Sequence, residues 1–122
     1  MLDVTSVSVR AFCALNGYEY ESFRGLKFGR RPQDATYNRI ALLHESLDAG
    51  FDGWLVFLDT DAFIVDFAFD FDAYLKAHED RALILRPSIP GARDAWHVIA
   101  ACYIARGFDL TPGAPPQRIR VL

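Results

Sequence analysis

The chain has 122 residues, 52% of them hydrophobic and 14% aromatic, with 24% charged. That is room for one domain with a single core, and too much apolar content for an intrinsically disordered chain. Thirteen Lys and Arg against sixteen Asp and Glu leave a net charge of −3, which gives no overall pull toward nucleic acid or an anionic membrane surface.

The N-terminus lacks a basic stretch followed by an apolar one. Every strong apolar run is cut by Asp, Arg, Gly or Pro before a membrane could be spanned. A soluble, cytoplasmic protein with no transmembrane segment and no nucleic-acid partner is expected. Cys13 and Cys102 stand far apart in apolar surroundings with no Cys-x-x-Cys spacing, so two buried thiols are expected rather than a disulfide or a zinc site.

In chain order, Val9, Phe12, Cys13 and Leu15 mark one side of a helix over Thr5–Leu15, with Thr5 or Ser6 as cap and Asn16-Gly17 as stop. Tyr18–Phe23 alternates with period two and predicts a strand. Residues 24–33 form a basic loop carrying Arg24, Lys27, Arg30 and Arg31. Such a loop suits an exposed turn or a phosphate-facing segment. Asp34 is placed to cap a helix whose inward stripe is Tyr37, Ile40, Leu43 and Leu47, with Gly50 at its end.

Trp54–Leu58 is apolar on both pleat faces and predicts a central strand covered on both sides. Asp70 or Asp72 can cap a short helix through Ala73–His78, and Ala82–Leu85 predicts another buried strand. Pro87, Pro90 and Gly91 predict a loop, and Trp96–Ala105 fits strand or helix equally by periodicity. The proline-rich tail from Thr111 to Leu122 predicts irregular chain. The strand–helix–strand succession points to an α/β domain with a mostly parallel or mixed sheet and helices on both faces. Its core would span about residues 5–106, with the irregular tail at 111–122.

One constellation carries chemistry. The central strand runs into Asp59-Thr60-Asp61, and strand alternation would send both carboxylates to the same side, with Thr60 to the other. Two hard oxygen ligands at the exit of a strand suit Mg²⁺ or Mn²⁺ beside a diphosphate. With twelve Asp in the chain, roughly one Asp-x-Asp arises by chance, and a second stands at Asp70-Phe71-Asp72. The tripeptide alone therefore says little; its context of helix, glycine turn and tryptophan-led apolar strand says more. Glu45–Asp80 holds ten acidic residues and one basic, Lys76, between net basic flanks, a pattern that fits a cation plus an anionic ligand or plain solvated surface.

The run from Tyr37 through Phe51-Asp52-Gly53-Trp54-Leu55-Val56-Phe57-Leu58-Asp59-Thr60-Asp61-Ala62, with Ala14–Tyr20 upstream, resembles the donor-binding region of GT-A glycosyltransferases. The likeness is to the galactosyl/mannosyltransferase group of yeast Golgi enzymes and spans roughly Arg10–Asp66. It implies a partial Rossmann-like fold for nucleotide-diphosphosugars, Mn²⁺ or Mg²⁺ as cofactor, Asp61 as a direct metal ligand, and Asp59 serving the metal or the donor ribose. Arg39, where the group usually has lysine, would approach the donor phosphate, and a hydroxyl acceptor would receive the sugar.

Two positions depart from that pattern. The group's opening strand would precede Thr5, where four residues stand, and Ile99 and Ala101 occupy its Asn-x-Gly positions. A truncated domain without catalysis, binding a partner or associating with itself through open sheet edges, is the alternative expectation. A haloacid-dehalogenase-like phosphatase is a poorer match, because Phe63 stands where Thr or Val is needed. An EF-hand fails because Phe63 and Ile64 replace an oxygen ligand and a glycine. His44, His78 and His97 form no triad by spacing, and each reads as structural.

Overall fold

The computed structural model of the chain describes residues 2–87, 98–106 and 118–122, with side chains described for 3–85 and 118–122. It is a mixed α/β arrangement built on a five-stranded sheet. The elements are α1 (Leu2–Asn16), β1 (Glu19–Tyr20), a 3₁₀ turn (Pro32–Tyr37), α2 (Asn38–Asp48), β2 (Gly53–Leu58), α3 (Phe71–Lys76), β3 (Leu83–Pro87), β4 (Val98–Arg106) and β5 (Arg118–Val121). The sheet order is β1-β5-β2-β4-β3. The first three strands are mutually parallel, and β4 runs antiparallel to both β2 and β3.

The tail is the largest correction to the sequence reading. Residues 118–121 of the segment expected to be irregular form β5, which lies between β1 and β2 and pairs with both. Arg118-Ile119-Arg120-Val121 alternates with period two. Ile119 and Val121 are buried, beside their register partners Trp54 and Val56, while the two arginines face the other side.

That apolar face is closed by Val9 and Cys13 of α1 and Leu75 of α3, which join Trp54, Val56, Ile119 and Val121 in one buried cluster. On the opposite face the Arg39 guanidinium of α2 stands 5.2 Å over the Phe57 ring, and Arg120 stands 4.3 Å over Phe51. Helix α2 thus reaches the second face at Phe57, and β2 is buried from Gly53 to Val56 as a central strand requires.

Other elements differ in detail. Helix α1 begins at Leu2, so Thr5 and Ser6 lie inside it rather than at its cap, and Leu15 is exposed. The strand expected over Tyr18–Phe23 shrinks to Glu19–Tyr20. The segment from Pro32 starts as a 3₁₀ turn and continues as α2. Three residues per turn rather than 3.6 changes the phase of the apolar stripe: Ala41, Leu42 and Ser46 are buried, while Tyr37 and Ile40 are exposed. Asp34 still closes that start, its Oδ2 accepting the Arg30 and Arg31 amides at 2.9 Å each.

Asp70 caps α3 by accepting the Ala73 amide at 3.0 Å. Strand β3 is a sheet edge with Leu83 and Leu85 exposed, not the buried strand expected at 82–85. The ambiguous segment after Trp96 is strand over 98–106. Cys13 is buried with a free thiol; the Cys102 side chain, the Pro87–Gly91 loop and His97 fall wholly or partly outside the description. Among the described residues no helix is long and apolar enough to cross a membrane.

Candidate functional site

Chain segments leaving the carboxyl ends of β1, β5 and β2 surround a cavity of about 540 Å³. Tyr20, Ser22 and Phe23 come from the end of β1, Phe57 to Thr60 from the end of β2, and Leu122 follows β5. The first turns of α1 (Asp3, Thr5, Ser6) and α2 (Asn38, Arg39) border it as well. The carboxyl edge of a parallel sheet, with helix N-termini facing it, is where α/β proteins receive anionic ligands.

Of the three residues singled out from sequence, Asp59 and Arg39 line this cavity and Asp61 does not. Strand β2 ends at Leu58, and Asp59–Ala62 is a turn in which the Ala62 amide donates to the Asp59 carbonyl at 2.9 Å. Alternation therefore stops before the second aspartate. The Asp59 carboxylate is half-buried and accepts the Thr60 amide at 3.2 Å, whereas Asp61 is exposed. Thr60 is fastened from below, its carbonyl accepting the Thr5 hydroxyl of α1 at 2.6 Å.

Arg39 donates from Nε to the Thr36 carbonyl at 2.9 Å while its guanidinium lies over Phe57. That fixes a cation on the wall next to Asp59. Arg24, the second basic residue of the lining, forms an ion pair with Asp3 across the mouth. The rest of the basic loop is held by Lys27, paired with Glu45 at 2.7 Å.

Periodicity did not reveal Asn38. Its amide donates to the Gly25 carbonyl at 2.7 Å and its carbonyl oxygen accepts the Lys27 amide at 2.8 Å, so one side chain clips the loop to the start of α2. Tyr20, Phe23 and Phe57 supply aromatic wall. The signal for Phe57 was present in the sequence, since it alternates with Asp59 along β2.

Asp59 offers carboxylate oxygen of the kind a hard divalent cation takes, but Asp61 stands outside the cavity, and among the described residues no group of three or more His, Cys, Asp or Glu that could hold a metal ion is gathered. The structure therefore brings one of the two expected ligands to the cavity. His44 pairs with Asp48 within α2 at 3.0 Å, and His78, just past α3, has its Nδ1 2.8 Å from the Tyr74 carbonyl of that helix. No family model, curated protein or solved structure matches the chain.

Proposed function

We propose that the chain is a GT-A-like glycosyltransferase domain that takes a nucleotide-diphosphosugar into this cavity and passes the sugar to a hydroxyl acceptor. The observation that carries the reading is the coincidence of three features in one cavity: the carboxyl edge of the parallel strands, the carboxylate of Asp59 and the guanidinium of Arg39. The sequence resemblance to the transferase group runs through the same segment.

In this reading Asp59 would be the protein's ligand to Mn²⁺ or Mg²⁺ at the cavity edge, with water and donor phosphate completing the shell, and Asp61 stands outside it. A divalent cation held there would supply charge to offset that building on the departing diphosphate. Arg39 adds a fixed positive charge on the wall next to Asp59, pre-set by its contact with Phe57. Asn38 keeps the 25–27 loop against α2 and so sets the width of the cavity. Tyr20, Phe23 and Phe57 would give the ligand an aromatic wall to lie against.

Titration calorimetry with MnCl₂ and a panel of UDP- and GDP-sugars tests the proposal. Heat is expected for at least one metal–donor pair, lost in Asp59→Ala and weakened in Arg39→Ala while both variants keep the wild-type circular dichroism spectrum. A donor that binds as tightly without metal, or to Asp59→Ala, would remove the proposal's basis.

A further inference from the structure

Helix α1 is apolar on two sides. Val9, Phe12 and Cys13 enter the core, whereas Val4, Val7 and Leu15 recur at helical spacing on the other side and are 77%, 66% and 70% exposed. An amphipathic helix at a free surface would place charge there.

The chain following β2 extends this face. It lies along α1 through the Thr5 hydroxyl on the Thr60 carbonyl, the Ile64 amide on Ser8 Oγ at 3.1 Å, and the Phe12 and Phe67 rings at 6.1 Å. Beside the ridge it carries Phe63 and Val65, 64% and 81% exposed. Together with Phe67 these side chains expose on the order of 700 Å² of apolar surface, above the ~300–600 Å² that a monomer ordinarily tolerates in its largest patch. It approaches the ~800 Å² per partner of a standard interface.

We infer that this face joins two copies of the chain in a twofold dimer, α1 against α1, with Phe63 and Val65 packing at the flanks. Three observations favour a second copy as the occupant. The area is that of one half of a stable interface. The ridge is uncharged along Val4, Val7, Ala11 and Leu15, so a copy meets it without like-charge opposition, and its small and branched side chains let two helices interlock. Asp61 and Asp66 beside Phe63 and Val65, with the net charge of −3, oppose an anionic lipid surface. This inference is independent of the donor-site reading.

Sedimentation velocity of the full chain across a concentration series tests it. A dimer is expected, with association weakened roughly 100-fold or more in Val7→Glu/Leu15→Glu, because each copy would then bury unpaired carboxylates. The variant should keep its circular dichroism spectrum, since both positions are exposed. Ala11→Cys should form an intermolecular disulfide under mild oxidation, because the middle of one ridge faces the other. A chain that stays monomeric at ~100 μM, a dimer that survives Val7→Glu/Leu15→Glu but dissociates on Leu85→Lys in edge strand β3, or a monomer that pellets with phosphatidylcholine vesicles would each overturn it.

Discussion

Arg120 donates its Nε–H to Glu19 Oε2 at 2.9 Å, joining β5 to β1 across 101 positions of sequence. Arg118 donates to the other oxygen of the same carboxylate at 2.6 Å. Burial alone would push the Glu19 carboxyl up, but the hydrogen bonds and charges of Arg120 and Arg118 together outweigh it and hold the group below the usual carboxylate range. The pair is partly solvated, so its contribution is about 1 kcal/mol rather than that of a buried bridge.

A pH dependence follows with a definite sign. A carboxyl with a lowered folded-state value stabilises the fold above its unfolded value, near 4.3, and loses that contribution as pH falls through the folded value. Glu19→Gln should lower the urea midpoint at pH 7 and flatten the fall of stability below pH 5. A variant with an unchanged acid limb would show that β5 is not tied to β1 through this group.

Ile119 is buried between α1 and the sheet although it belongs to the proline-rich tail. Ile119→Ala should cost about 2–5 kcal/mol, while Val65→Ala, at an exposed site, should change stability by less than about 0.5 kcal/mol in the monomer. Equal, small effects in urea unfolding would mean that β5 does not occupy the centre of the sheet.

Gly53 has φ +147°, and a Cβ there would collide with the Arg118 carbonyl oxygen of β5. Gly53→Ala should therefore unpair the start of β2 from β5. Amide exchange is the readout: the backbone amides of the β2–β5 pairing next to the collision, around Trp54 and Ile119, should lose protection in the variant.

Asn38→Ala removes both hydrogen bonds of the clip between α2 and the 25–27 loop, at a cost of roughly 1–3 kcal/mol. Donor binding should weaken in calorimetry by more than any change at Ala49→Ser, which stands at the far end of α2. Equal affinities for the two variants would dissociate the loop from the cavity's function.

On the alkaline side, burial pushes the Cys13 thiol up to about 11 from an ordinary 9.0. Burial, then the hydrogen bond to Asp72 and the charges of Asp72 and Asp70, push the Tyr18 phenol up to about 12 from 10.0. Groups raised in the fold stabilise it below their unfolded values and lose that contribution as pH rises through the folded ones. Stability should decline from about pH 9 upward, and in a Cys102→Ser background Cys13 should react with a thiol reagent only as fast as the chain opens.

Much of the architecture was legible locally. The Trp54–Leu58 run is apolar on both sides because the strand is covered on both sides, and the Asp70 cap and the Gly50 stop belong to short segments whose backbone bonds close within a few residues. Asp59 could be singled out because a strand end is a local feature, whereas Arg39 came only from the resemblance to the transferase group.

The arginines of β5, by contrast, read as solvated tail until Glu19 and Phe51 are placed beside them. The prolines nearby masked a four-residue alternation too short to stand out from chance. On α1 the sequence reading found the inner side through Val9, Phe12 and Cys13, but it added Leu15, which belongs to the exposed ridge. Chain order alone prescribed helix, turn and strand, since those depend on neighbours within a few positions. Folding in three dimensions settled which ridge faces the core, which strand fills the middle of the sheet and where alternation ends, because pairing and burial depend on partners that sequence distance does not reveal.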